Sequence, residues 1–157
     1  MIKYIKIYFY FASGFMFLFF MGKKLFFRSD CPISTALDIF GDKWTLLIIR
    51  DLVFKEKNTY GEFLLSDEKI ATNILADRLA LLECAKIISK HPHPDSKAKV
   101  LYKLTSKGID LVPVLIEIIL WSEKHEKVHP YAIEFAIMIK KNKDLVIKQT
   151  ISNLKKS

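Results

Sequence analysis

The apolar positions of the chain fall into two regimes. Residues 7–21 form an uncharged run dominated by Phe, Tyr, Ile and Met. From about residue 28 apolar and polar residues alternate with the periods of helices and strands. Residues 34–40 read as a short helix ending near Gly41, and Asp42 is a suitable N-cap for a helix over 43–54. There Trp44, Leu47, Ile48 and Leu52 recur at the spacing of one helix face.

After the polar break Lys55-Glu56-Lys57-Asn58, Thr59 caps a short helix carrying Phe63 and Leu64, and Ser66-Asp67-Glu68-Lys69 makes a turn. A longer helix over 71–85 places Ile74, Leu75, Leu79 and Leu82 on one face. Two helices joined by a short turn, the second amphipathic, make a helix-turn-helix arrangement. Residues 87–91 then read as extended, Pro92, Pro94 and Asp95 bracket a turn, and 100–104 read as a returning strand. This predicts a β-hairpin with a basic, histidine-bearing tip. Thr105 caps a long helix to about 127, with a bend or altered start at Pro113. His129-Pro130 ends it, and a last helix covers 131–154.

The expected fold is mainly α with a small β-hairpin: a winged helix-turn-helix, the hairpin being the wing. The apolar C-terminal helices exceed what one small domain needs, and dimerisation is their expected use. The expected organisation is an apolar N-terminal extension over 1–27, a winged helix DNA-binding domain over 28–128 and a C-terminal helix over 129–157.

Composition narrows the partner. The 157 residues are 51% hydrophobic, enough for a real core, and carry a formal net charge of +8. That balance favours an anionic partner, either nucleic acid or a negatively charged membrane surface. Cys31 and Cys84 stand in no CxxC or zinc-finger spacing, which suits a reducing, cytoplasmic setting, and no cofactor or metal is expected. The N-terminal run is short for a membrane span of about 20 residues, and lysines on both sides leave its orientation undecided. It lacks a small-x-small cleavage site. Three readings stand: an extension upstream of a working start at Met21, a membrane anchor, or an apolar helix packed on the domain.

In a helix-turn-helix the first residues of the second helix reach base edges in the major groove. Here those are Thr72 and Asn73, followed a turn later by Asp77 and Arg78. Asn73 suits bidentate pairing with adenine, and Thr72 suits a thymine methyl, a phosphate or the helix cap. Asp77 is expected to orient Arg78 or a lysine, and Arg78 to meet a phosphate or form an internal ion pair. Thr59 and Tyr60 open the first helix of the pair on the DNA side. Lys90, His91, His93, Lys97 and Lys99 on the wing offer cations to phosphates, a salt-sensitive contribution.

Four stretches resemble the HxlR-type winged helix regulators. They are Cys31-Pro32-Ile33 with Gly41-Asp42-Lys43-Trp44-Thr45, Thr59-Tyr60-Gly61-Glu62-Phe63, Ile70-Ala71-Thr72-Asn73-Ile74-Leu75-Ala76-Asp77-Arg78-Leu79, and Tyr102-Lys103-Leu104-Thr105-Ser106-Lys107-Gly108. The resemblance implies a homodimer, built by the first and C-terminal helices, that binds double-stranded operator DNA and usually represses. It also implies a small-molecule or redox effector. Some members sense oxidants or electrophiles through a cysteine near the start of the domain, and Cys31, flanked by Arg28 and Asp30, occupies that position. The family usually has glycine at the recognition-helix exit, where Lys86 stands here; lysine there extends or strains the turn, or adds a phosphate contact.

An enzyme is not expected, but one motif argues for it. His125-Glu126-Lys127-Val128-His129 spells H-E-x-x-H, the zinc peptidase pattern when both histidines lie on one helix face. His129 abuts Pro130 and no third ligand follows convincingly. A membrane-associated basic protein is the other alternative.

Overall fold

The computed structural model describes Leu25 and residues 27–156. Helix α1 (Pro32–Phe40) begins two residues earlier than expected, because Pro32 occupies the first helical position, where a missing N–H costs nothing. Helix α2 (Thr45–Phe54) is capped by Asp42 as expected, but from further out. The Asp42 carboxylate accepts the N–H groups of Trp44 (2.8 Å) and Thr45 (3.1 Å), so residues 43–44 form a turn rather than helix.

Helix α3 (Tyr60–Leu64) is short and is followed by α4 (Thr72–Cys84), the longer second helix of the pair. Phe63 of α3 and Leu75, Leu79 and Leu82 of α4 are buried against Ile48 and Ile49 of α2 in one core. The exit of α4 is a Schellman turn: Lys86 N–H bonds Glu83 C=O and Ile87 N–H bonds Leu82 C=O, both at 2.9 Å. Lys86 takes the left-handed conformation this turn requires, with φ 57°. Lysine therefore neither extends the helix nor changes the turn; it adopts the backbone that favours glycine.

Strand β1 (Ile88–His93) pairs antiparallel with β2 (Ser96–Leu104), from Ile88 opposite Leu104 to Pro92 opposite Val100, with an irregularity between Pro92 and His93. The hairpin is longer than the sequence pattern suggests. Pro92 lies within the strand, tolerated because β1 is an edge strand, and the turn is Pro94-Asp95. A bridge between Thr59 and Leu101 ties the start of α3 to the wing, and the Asn58 carbonyl accepts the Tyr102 N–H at 2.7 Å.

The expected helix over 105–127 is two: α5 (Ser106–Ile109) and α6 (Val112–His125), with Pro113 in the first turn of α6. The altered start is thus the outcome at that proline. The expected single C-terminal helix is also two, α7 (Pro130–Lys141) and α8 (Lys143–Lys156), separated at Asn142. Both pack on α6 and on each other, which a straight helix from 131 to 154 cannot do. Ala136, Ile139 and Val146 are buried there, and Phe135 of α7 meets Phe54 of α2 edge-on at 5.5 Å.

No helix among the described residues is long and apolar enough to cross a membrane. The apolar run at 7–21 lies outside the described residues.

Candidate nucleic-acid interface

Thr72 and Asn73 stand exposed in the first turn of α4. The N-cap is Ala71, with extended backbone and no side-chain cap, so Thr72 is the first helical residue and does not cap α4. Both polar side chains are presented outward at the end of the helix that reads base edges in this arrangement.

Two contacts fix α4. The Tyr60 hydroxyl donates to the Thr72 carbonyl at 2.7 Å, joining the starts of α3 and α4. The Arg78 guanidinium donates to Asp42 at 3.0 Å and pairs with the adjacent Asp77. Arg78 is thus engaged by two carboxylates, one on its own helix and one ahead of α2. Burial pushes the Asp42 carboxyl up, but hydrogen bonds from Thr45, Trp44 and Arg78 outweigh it and hold it below the ordinary carboxylate range.

The turn between α3 and α4 is clamped by a charge network that hydrophobic patterning does not reveal. Asp51 of α2 is buried, accepts from Arg50 Nε at 2.9 Å, and receives the Ser66 hydroxyl. Lys57 donates to Ser66 Oγ at 2.8 Å and lies 3.7 Å from Asp51. Arg50 also grips Glu68 through both guanidinium ends, holding that carboxyl at about 2. A buried carboxylate is tolerated only when paired and hydrogen-bonded, and here the pairing joins the end of α2 to the reading helix's turn. An aspartate beside an arginine in an apolar helix was the available signal.

The wing residues divide into two groups. Lys90 pairs with Glu83 of α4 at 2.6 Å, and His93 Nδ1 accepts the Asp95 N–H at 3.1 Å to close the tip. His91 exchanges a 2.9 Å hydrogen bond with Ser89. Lys97 and Lys99 lie exposed along β2. Thr59 is the N-cap of α3, where the Glu62 carboxylate accepts the N–H groups of Asn58 (2.9 Å) and Thr59 (2.8 Å).

Cys31 is exposed at the N-cap of α1, while Arg28 is drawn to Asp38 rather than to the thiol. Exposed apolar side chains recur on α1 (Ile33, Leu37), α6 (Ile118, Trp121) and α7 (Ile133, Ile137). The H-E-x-x-H stretch does not form a helical metal face. Helix α6 ends at His125, Glu126 is extended, and His129 caps α7, where its Nδ1 accepts the Tyr131 N–H. A peptidase site needs both histidines on one continuous helix, and the break at 126–129 separates them.

Three helices, a fourth that presents polar residues at its start, and a hairpin returning beside it define a winged helix-turn-helix protein. Residues 39–130 match the HxlR-like helix-turn-helix family, and the chain belongs to it. It is 36% identical over 86 residues to the HTH-type transcriptional regulator sll1512 of Synechocystis, covering 55% of this chain and 63% of that protein, less than two thirds of its length. It is 33% identical over 95 residues to the HTH-type transcriptional regulator YodB of Bacillus subtilis, covering 60% of this chain and 84% of YodB. Among solved structures, PA1607, described as a candidate transcription factor, aligns with TM-score 0.58 and 36% identity over 66% of this chain and 70% of its own. The reduced form of YodB aligns with TM-score 0.50 and 30% identity, over 62% and 95% respectively.

Proposed function

We propose that the protein is a sequence-specific, DNA-binding transcriptional repressor that acts in the cytoplasm as a homodimer on palindromic operator DNA. The observation that carries this is the pair Thr72 and Asn73, exposed at the start of a helix that Tyr60 and Arg78 hold in place. In this reading α4 enters the major groove, Asn73 and Thr72 contact base edges, and Asp77 and Arg78 position the helix. Thr59 and Tyr60 lie beside the backbone at the start of α3. Lys97 and Lys99 of the wing contact phosphates, with Lys90, His91 and His93 shaping the hairpin that carries them. The exposed apolar residues of α1, α6 and α7 form the dimer surface, which sets half-site spacing.

Cys31 is the candidate effector site, responsive to oxidants or electrophiles. Its support is its exposure at the start of α1 and the likeness to YodB, whose structure is described in a reduced form.

A salt-titrated gel shift with DNA from upstream of the protein's own gene tests the reading, with and without an oxidant and with Cys31→Ser. We expect a sequence-selective shift that weakens steeply with salt and that oxidation changes in the wild type alone. A shift no different from that on scrambled DNA at every salt concentration would falsify the DNA reading. An oxidant effect that persists in Cys31→Ser would remove the role of that thiol.

A further inference from the structure

Residues beyond 130 lie outside the family match, yet α7 and α8 fold back to leave a groove of about 790 Å³ against the base of the wing. That volume lies within the range of small-molecule sites, about 300–1,000 Å³. Its apolar lining includes Leu52 and Phe54 of α2, Phe135 and Met138 of α7, and Leu154 of α8. One wall is the strand β2 at residues 101–104.

The register of the hairpin decides what that wall offers. Thr105 N–H donates to the Ile87 carbonyl at 2.9 Å, so Ile88 and Leu104 form a non-hydrogen-bonded pair. The N–H and C=O of Leu104 therefore point away from β1, to the edge where Tyr102 N–H meets Asn58. Asn58, Gln149 and Asn153 add side-chain amides to the lining. The charged side chains there are Lys57, bound to Ser66 and facing Asp51, Lys103, which has an interaction of its own, and the solvent-exposed Glu56. Apolar area and side-chain amides, with charges of both signs in one lining, suit an uncharged ligand.

We propose that this groove binds an uncharged, mainly apolar small molecule bearing a carbonyl or hydroxyl group that bonds to the amides and to the β2 edge. Because β2 also carries Lys97 and Lys99, occupancy of the groove is linked to wing geometry and hence to DNA affinity. The binding site stands independently of the DNA-binding reading; only the linkage rests on it.

The test uses the full chain and N-phenyl-1-naphthylamine, an uncharged fluorophore. We expect saturable binding at one site per protomer, weakened at least about tenfold by Asn153→Trp, which fills the groove. Leu65→Asp, at an exposed apolar side chain outside the groove lining, leaves probe affinity unchanged. Gln149→Ala, which retains helix propensity, weakens binding about threefold and serves if circular dichroism shows that the tryptophan variant misfolds. Wild-type affinity in both groove variants overturns the proposal. So does loss of binding in Leu65→Asp, or affinity that falls as protein concentration rises, which shows a second copy covering the groove. In the gel shift, saturating probe should move the wild-type midpoint and leave Asn153→Trp unmoved; an unmoved wild-type midpoint with intact probe binding overturns the linkage. Absence of any DNA shift overturns the DNA reading and leaves the fluorescence result standing.

Discussion

The hydroxyl of Tyr60 donates to the carbonyl oxygen of Thr72 at 2.7 Å, pinning the first turn of the reading helix to the first turn of its partner. The contact joins the starts of the two helices and acts on backbone, so it positions the helix whatever side chains α4 carries. Tyr60→Phe keeps the ring and loses only this bond. It should cost about 1 kcal/mol of stability and reduce the preference for operator over scrambled DNA. Urea denaturation and paired gel shifts read the two effects, and an unchanged preference would assign Tyr60 to stability alone.

Asn73 and Lys97 should fail in different ways. In the proposed complex Asn73 contacts a base, so Asn73→Ala should lower affinity for operator DNA by about 1–3 kcal/mol while affinity for scrambled DNA holds. Lys97 is proposed to contact a phosphate, so Lys97→Ala should weaken binding to all DNA and lower the logarithmic salt slope by about 1. Competition binding at several salt concentrations separates the two patterns; equal losses on both DNAs from Asn73→Ala would exclude base reading by that residue.

Lys86 and Gly108 bracket the wing with opposite backbone demands. Lys86 carries a side chain at φ 57°, so Lys86→Gly should gain up to about 1 kcal/mol, whereas Lys86→Val should lose at least as much. Gly108 has no room for one: a Cβ there would lie 2.2 Å from the Ile87 carbonyl oxygen and 2.9 Å from Leu104 Cδ2. Gly108→Ala should cost about 1–3 kcal/mol by forcing α5 away from the wing base. Denaturant midpoints for the three variants check the set, and a stable Gly108→Ala would show that this junction yields freely.

Glu68 links stability to pH. Its hydrogen bonds from Arg50 lower the carboxyl from 4.5 to about 2 in the folded protein. A depressed carboxylate contributes stability in full above its unfolded value and loses it as pH falls through the folded one. Glu68→Gln should therefore be less stable than the wild type at neutral pH, and the gap should close from about pH 4.5 downward. The pair is partly solvated, so added salt should narrow the gap. Melting temperatures across that range test it, and a pH-independent gap would place the effect elsewhere.

Helix positions were legible where apolar spacing had a single reading. The face of Leu75, Leu79 and Leu82, the break at residues 55–58 and the cap at Asp42 all follow from local pattern. The length of β2 did not, because Ser96-Lys97-Ala98-Lys99 offers only Ala98 as an apolar position, and Ser96 meets His93 across an irregularity in the register. The division of the C-terminal segment at Asn142 was equally hidden. Lys140-Lys141-Asn142-Lys143 contains neither glycine nor proline, and only the need to bury both α7 and α8 on α6 bends the chain there.

The candidate interface divides along the same line. Amphipathic period, turn chemistry and family motif determined from sequence alone that a helix-turn-helix precedes a basic hairpin, and that Thr72 and Asn73 open the second helix. These are local properties, written within a few residues of where they act. Which side chains face outward and which are committed inside was decided only by the tertiary structure. Arg78 meets an aspartate 36 positions away, Lys90 turns to Glu83, and Asp51 is buried beneath the turn. An ion pair depends on distance in space, and sequence separation carries no record of it until the fold brings the partners together.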